Sequence, residues 1–101
     1  MSVIKVTNEN FNDIRNSDKP VLLDFYADWC GPCRMVGPII EEIANERDDI
    51  VVGKINVDDE EALAREFGVF SIPTIVVLKE GKVANRSVGA KSKAGLIELL
   101  V

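Results

Sequence analysis

The chain reads VLLDFYADWCGPC over residues 21–33, and these residues are the strongest guide to its fold. Their first half, Val21 to Ala27, is apolar apart from one acid, as expected of a strand that is buried on both faces. Their second half places Cys30 and Cys33 on either side of Gly31-Pro32, and a proline without a backbone N–H suits the first turn of a helix. A buried strand is therefore predicted to run directly into a helix whose start holds both cysteines.

Hydrophobic periodicity and turn residues predict an α/β fold with the element order β-α-β-α-β-α-β-β-α. Glu80-Gly81 separates the last two strands as a hairpin, and Ser92 is expected to cap the last helix. We also expect Thr7 or Asn8 to cap the first helix and Asp58 to cap the third. The predicted strands cover residues 3–6, 21–27, 50–57, 74–78 and 82–88. The result is a central mixed sheet with helices on both faces.

Composition limits the possible functions. The chain has 101 residues, 47% of them hydrophobic, which suits a single domain over residues 1–101. The net charge of −5 and the scattered Lys and Arg residues argue against nucleic-acid binding, and the short apolar runs argue against a membrane role. Met1 to Asn10 lacks the pattern of a secretory signal, so we expect a cytoplasmic, monomeric protein.

The two cysteines have the spacing of a reversible dithiol. Side chains at positions i and i+3 of a helix lie about 5–6 Å apart at Cβ, and a small adjustment brings them to disulfide distance. At the helix start, backbone N–H groups and the helix dipole lower the pKa of Cys30. We therefore expect Cys30 to be the exposed attacking thiolate and Cys33 to be the resolving thiol of a mixed-disulfide mechanism.

Three other interpretations of the cysteine pair compete with redox chemistry. A structural disulfide closing so short a loop would contribute only about 2 kcal/mol in the chain-entropy model. A zinc site would need two further Cys or His ligands, and the chain has no histidine and no third cysteine. Two inert buried thiols fit poorly with a helix that starts at Gly31-Pro32. We favour redox chemistry and expect no metal and no other cofactor.

Asp24 is the second candidate for chemistry. Because a buried carboxyl is costly to ionise, its pKa should rise, and without any histidine it is the best available proton partner for Cys33. The alternative is that Asp24 faces solvent at a sheet edge. Lys54 interrupts the strand 50–57 in the same way, and it either neutralises Asp24 from the adjacent strand or extends its amine to solvent.

The segment Asp24–Met35 resembles the active-site segment of the thioredoxin family. Further matches follow in the order expected of that family, at Pro38, Lys54–Asp58, Ile72–Thr74, Gly81 and Val88–Ala90. The resemblance implies the thioredoxin fold, with the third strand between the first and second, an antiparallel final hairpin and a cis Pro73. It also implies a protein-disulfide reductase that forms a mixed disulfide with its clients and is recycled by a thioredoxin reductase.

The resemblance further implies a binding surface for client proteins, because in the family the backbone beside the cis proline pairs with an extended client segment. The residues concerned are Ile72, Pro73 and Thr74, with Trp29, Gly31, Pro32, Val88, Gly89 and Ala90 around them. For Trp29 alone, packing in the core is the competing interpretation. Phe70 and Lys91 depart from the usual family pattern, and we expect partner choice to differ there.

Two other functions remain open at this point. An oxidase or isomerase of secreted proteins would use the same dithiol, although Gly31-Pro32 and the missing signal pattern disfavour it. A binding subunit would use the surface around the dithiol only for docking, with or without redox activity.

Overall fold

The structure, a computed structural model, describes residues 3–101. Within these residues five strands form one sheet and four helices connect them, in the predicted order. The elements are β1 Ile4–Lys5, α1 Phe11–Arg15, β2 Val21–Tyr26, α2 Gly31–Glu46, β3 Val51–Asn56, α3 Glu61–Glu66, β4 Thr74–Lys79, β5 Lys82–Val88 and α4 Lys93–Glu98. No helix in residues 3–101 has the length and apolar composition needed to cross a membrane.

The sheet has the strand order β1-β3-β2-β4-β5. Strands β1, β3 and β2 are parallel, β4 runs antiparallel to β2, and β5 runs antiparallel to β4. This confirms the thioredoxin-type topology, with the third strand between the first two. Strand β2 lies in the middle of the sheet, and its Asp24 is opposite Lys54 of β3 and Ile75 of β4.

Helices cover both faces of the sheet, as predicted, and each face has its own hydrophobic core. Helices α1 and α3 pack on one face through Phe11, Ile14 and Leu63, together with Phe67 just after α3. Helices α2 and α4 pack on the other face, together with Leu100 just after α4; the helical residues concerned are Val36, Ile40, Ile43, Ala44 and Leu96. The sheet is therefore the middle layer of three.

The alternation of side chains along β2 places its acid beneath the dithiol helix. Leu23 and Phe25 belong to the core under α1 and α3, whereas Leu22 belongs to the core under α2 and α4. Because successive side chains of a strand point to opposite faces, Asp24 shares the face of Leu22. Asp24 therefore lies on the same side of the sheet as α2, the helix that carries Cys33.

The predicted cap of the last helix is confirmed, and that of the first is wrong. The Ser92 hydroxyl oxygen accepts a hydrogen bond from the Gly95 N–H at 3.2 Å. Helix α1 starts later than expected, with Asn10 as its N-cap residue, so neither Thr7 nor Asn8 caps it. The Asn10 Oδ1 instead accepts from the Thr7 N–H at 2.8 Å, which closes a local turn before the helix begins.

Candidate active site

Helix α2 begins at a disulfide between Cys30 and Cys33. Their Cα atoms are 5.3 Å apart, within the usual range for a disulfide. Cys30 is the N-cap residue, its Sγ accepts from the Cys33 N–H at 3.2 Å, and Pro32 lies in the first turn. The structure thus brings together the pair that the helical spacing predicted.

Both cysteines are buried in this oxidised form, with exposures of 4% for Cys30 and 5% for Cys33. The prediction that Cys30 is exposed is therefore wrong for the disulfide state. The physical reason is the neighbouring loop, since Cys30 Sγ lies 3.8 Å from the carbonyl oxygen of Ile72. Ala27 and the partly buried Tyr26 complete the apolar cover. Cys30 meets solvent only over a narrow edge.

Asp24 is buried at 4% exposure, and its strand is central in the sheet. The alternative of a solvent-facing Asp24 at a sheet edge is thereby excluded. Within residues 3–101, Asp24 Oδ1 has no hydrogen-bond partner. Burial raises the pKa of Asp24 from its ordinary value of 3.8 to about 7, and the positive charge of Lys54 opposes part of that rise.

A cavity of about 150 Å³ connects Asp24 with the dithiol. Its lining includes Asp24, Cys33, Lys54 and Gly37. A space of this size with polar groups on its wall has room for more than one water molecule. Lys54 is half-buried and directly opposite Asp24 in the β2–β3 register. Asp24 and Cys33 therefore face one shared space.

The loop before β4 supplies the backbone beside the disulfide. The Ile72–Pro73 peptide bond is cis, as the family resemblance implied. The Pro73 carbonyl oxygen accepts from the Gly89 N–H at 2.8 Å, which ties the loop to the end of β5. Thr74 is fully buried, and its hydroxyl donates to the Ser71 carbonyl oxygen at 2.5 Å. The side chain of Thr74 thus holds the loop, while the backbone of Ile72 faces Cys30.

Trp29 lies on the surface, with 68% of its area exposed, so core packing is excluded. Its Nε1–H donates to Asp58 Oδ2 at 2.8 Å. The prediction that Asp58 caps α3 is therefore wrong. Glu60 takes the N-cap position instead. Sequence reasoning missed Asp58 as a site residue. The one feature that could have indicated this contact is the position of Asp58 in the chain. Asp58 follows β3 and Trp29 follows β2, and these two strands are parallel neighbours, so both residues lie at the same edge of the sheet.

The site offers sulfur and carboxyl chemistry without a metal-ligand set. Among residues 3–101, no three or more His, Cys, Asp and Glu side chains come together as a possible metal site. The groups that do come together are a disulfide, a helix start and a carboxyl whose pKa of about 7 lets it bind or release a proton near neutrality. This combination suits thiol–disulfide exchange.

The sequence model of the Thioredoxin family matches residues 2–101. The chain belongs to the thioredoxin family. Thioredoxins are protein-disulfide oxidoreductases, so this chain is a thiol–disulfide oxidoreductase with Cys30 and Cys33 as its redox-active pair.

The similarity to known thioredoxins extends over the whole chain. A thioredoxin of Mycobacterium tuberculosis (strain ATCC 25618 / H37Rv) is 52% identical over 101 residues, which cover 98% of this chain and 87% of that protein. A thioredoxin of Bacillus subtilis (strain 168) is 45% identical, with 99% and 96% covered. The solved structure of a mutant thioredoxin from Halobacterium salinarum NRC-1 has a TM-score of 0.91 at 38% identity, covering 98% of this chain and 88% of that one.

The outer part of this thioredoxin site is open to solvent. Gly31, Pro32 and Ala90 are exposed, and Gly89 is half-buried. Pro73, by contrast, is buried.

Proposed function

We propose that this chain reduces disulfides in client proteins and is itself reduced by a thioredoxin reductase. The observation that carries the proposal is the Cys30–Cys33 disulfide at the start of α2, next to a cavity that also reaches buried Asp24. An attacking thiol, a resolving thiol and a proton acceptor then belong to one site.

In the first step the Cys30 thiolate of the reduced chain attacks one sulfur of a client disulfide. The client S–S bond breaks, a mixed disulfide forms, and the other client sulfur leaves as a thiolate that takes a proton from water. The N-cap position favours the thiolate because backbone N–H groups and the helix dipole stabilise negative charge. The Cys33 N–H, 3.2 Å from Cys30 Sγ, is one such donor.

In the second step Asp24 accepts the proton of the Cys33 thiol through the cavity that both residues line. The Cys33 thiolate then attacks Cys30 Sγ, the mixed disulfide breaks, and the second client sulfur leaves as a thiolate. A pKa of about 7 suits this role because the carboxylate is available near neutral pH. Lys54, opposite Asp24, stabilises the charged carboxylate that accepts the proton.

We propose that an extended client segment binds along the backbone of Ile72 beside Pro73. Support comes from the 3.8 Å separation between the Ile72 carbonyl oxygen and Cys30 Sγ, which puts this backbone beside the reacting sulfur. Thr74 and Gly89 hold the loop through hydrogen bonds to its carbonyl groups. The exposed residues Trp29, Gly31, Pro32 and Ala90 would form the surrounding contact surface.

Each client disulfide consumes two electrons, which the proposed reductase returns. A related protein of Mycobacterium leprae, named bifunctional thioredoxin reductase/thioredoxin, is 51% identical over 96 residues that make up 21% of its length. That pairing supports a reductase as the electron source.

We further propose that residues 1–101 act as one monomeric domain in the cytoplasm, a reducing compartment where disulfides are usually transient and catalytic.

The proposal is tested by insulin reduction with dithiothreitol, followed as turbidity. We expect the wild-type chain to accelerate precipitation and the Cys30→Ser variant to be inactive. No acceleration by the wild type, or full activity in Cys30→Ser, would overturn the proposal. A redox titration against glutathione separates a reductase, which has a strongly reducing midpoint, from an oxidase or isomerase.

A further inference from the structure

The aromatic side chain of Phe70 is exposed to solvent. It is 97% exposed and belongs to neither hydrophobic core. A single exposed apolar residue needs no explanation, but segments of the chain next to the site expose other large apolar side chains as well. Other large apolar side chains that are exposed close in sequence to the site are Trp29, Met35 and Val88.

The position of Phe70 along the chain places it close to the reacting sulfur. It precedes Ile72 by two residues, so their Cα atoms are at most about 7 Å apart. The Ile72 carbonyl oxygen is itself 3.8 Å from Cys30 Sγ. Phe70 therefore lies on the loop along which the client segment is proposed to bind.

Hydrogen bonds hold the backbone on both sides of Phe70. The Arg86 guanidinium, on β5, donates to the carbonyl oxygen of Phe67 and, at 2.7 Å, to that of Gly68. On the other side of Phe70, the carbonyl oxygen of Ser71 accepts a hydrogen bond from the Thr74 hydroxyl. The loop thus presents the phenyl ring from a fixed backbone, which lowers the entropy cost of binding a partner there.

We propose that Phe70 is a specificity-determining residue that selects clients with a large apolar side chain two residues from the reacting cysteine. In an extended segment, side chains two residues apart share a face and lie about 6.6–6.8 Å apart. The separation of Phe70 from Ile72, at most about 7 Å between Cα atoms, is compatible with this spacing. An apolar client side chain would cover the ring, whereas a polar one would leave it in water. The inference rests on the proposed reductase function of the same site.

The expected effect follows from the area that the contact removes from water. Covering about half of the phenyl ring with a leucine side chain corresponds to about a tenfold change in kcat/KM. The effect should be confined to peptide clients, because a small disulfide such as glutathione disulfide does not extend to Phe70.

The test compares two synthetic peptides, each with one cysteine in a mixed disulfide with thionitrobenzoate. One peptide has leucine two residues before and after the cysteine, and the other has serine at both places. We expect the wild type to prefer the leucine peptide about tenfold in kcat/KM. Phe70→Ser should abolish this preference, and Phe70→Leu should retain most of it.

A matched control removes another exposed apolar side chain. Val83 is 50% exposed and pairs with Leu78, near the far end of the β4–β5 hairpin from Thr74. Val83→Ser should keep the tenfold preference. Thermal unfolding of Phe70→Ser should match the wild type, since the ring contributes to no core.

The possible outcomes separate the two proposals. If the wild type reduces both peptides at equal rates, or if Phe70→Ser keeps the preference, the role of Phe70 is refuted while the reductase function stands. If the wild type reduces neither peptide nor glutathione disulfide, the reductase function itself fails.

Discussion

Replacing Asp24 with asparagine should stabilise the oxidised protein, and more so at high pH. The folded state raises the pKa of Asp24 from 3.8 to about 7 because burial penalises the carboxylate. Between these two pH values the folded chain binds more protons at this group than the unfolded chain does, so the unfolding free energy falls as pH rises and levels off above 7. At about 1.4 kcal/mol per pKa unit, the loss between pH 4.5 and pH 8.5 is about 3 kcal/mol.

Urea unfolding of the oxidised wild type and of Asp24→Asn at pH 4.5 and 8.5 measures this loss. The difference in unfolding free energy between the two proteins should grow by about 3 kcal/mol from pH 4.5 to pH 8.5, with the variant the more stable. Any cost of the buried amide is the same at both pH values, so the comparison isolates the carboxyl. Asp48→Asn, at an exposed acid, serves as the control and should show no comparable growth. A difference between wild type and Asp24→Asn that stays constant within about 1 kcal/mol would refute the assignment of a buried, destabilising carboxylate.

Three further predictions concern single substitutions. Asp24→Asn should slow the attack of Cys33 on a preformed mixed disulfide by at least about tenfold, while the first attack on the client stays nearly unchanged. Stopped-flow release of the client thiol measures both rates. Equal slowing of both steps would contradict the proton-transfer role of Asp24. Gly53→Ala should cost about 1–3 kcal/mol in urea unfolding, because its Cβ would lie 2.5 Å from Val6 Cγ2, and an unchanged midpoint would contradict this close packing. Ser92→Ala should cost about 1 kcal/mol through loss of the α4 cap, and a smaller loss than that of an exposed Ser→Ala control would argue against the cap.

Most of the fold could be predicted because its signals are local. The apolar run Val21 to Ala27 shows a strand buried on both faces, and the turn at Glu80-Gly81 shows a hairpin. Asp24 stands out as a single acid within such a strand, which predicts both its burial and its raised pKa. The disulfide pair follows from the helical geometry of Cys30 and Cys33.

The predictions that failed depend on contacts between distant parts of the chain. Asp58 has the sequence pattern of a helix cap, but Trp29 engages its carboxylate from the neighbouring strand end. Cys30 has the sequence position of an exposed nucleophile, but the loop at Ile72 covers it. The hydrogen bonds from Arg86 to the carbonyl oxygens of Phe67 and Gly68 also join distant parts of the chain, and no local sequence pattern predicts them.

Trapping of the mixed disulfide tests the unequal roles of the two cysteines, on which the proposed mechanism depends. The reduced Cys33→Ser and Cys30→Ser variants are each mixed with insulin and analysed by peptide mass spectrometry. We expect an insulin adduct on Cys30 to accumulate in Cys33→Ser and essentially no adduct to form in Cys30→Ser. An adduct on Cys33 that forms in Cys30→Ser at a comparable rate would show that the two roles are assigned wrongly.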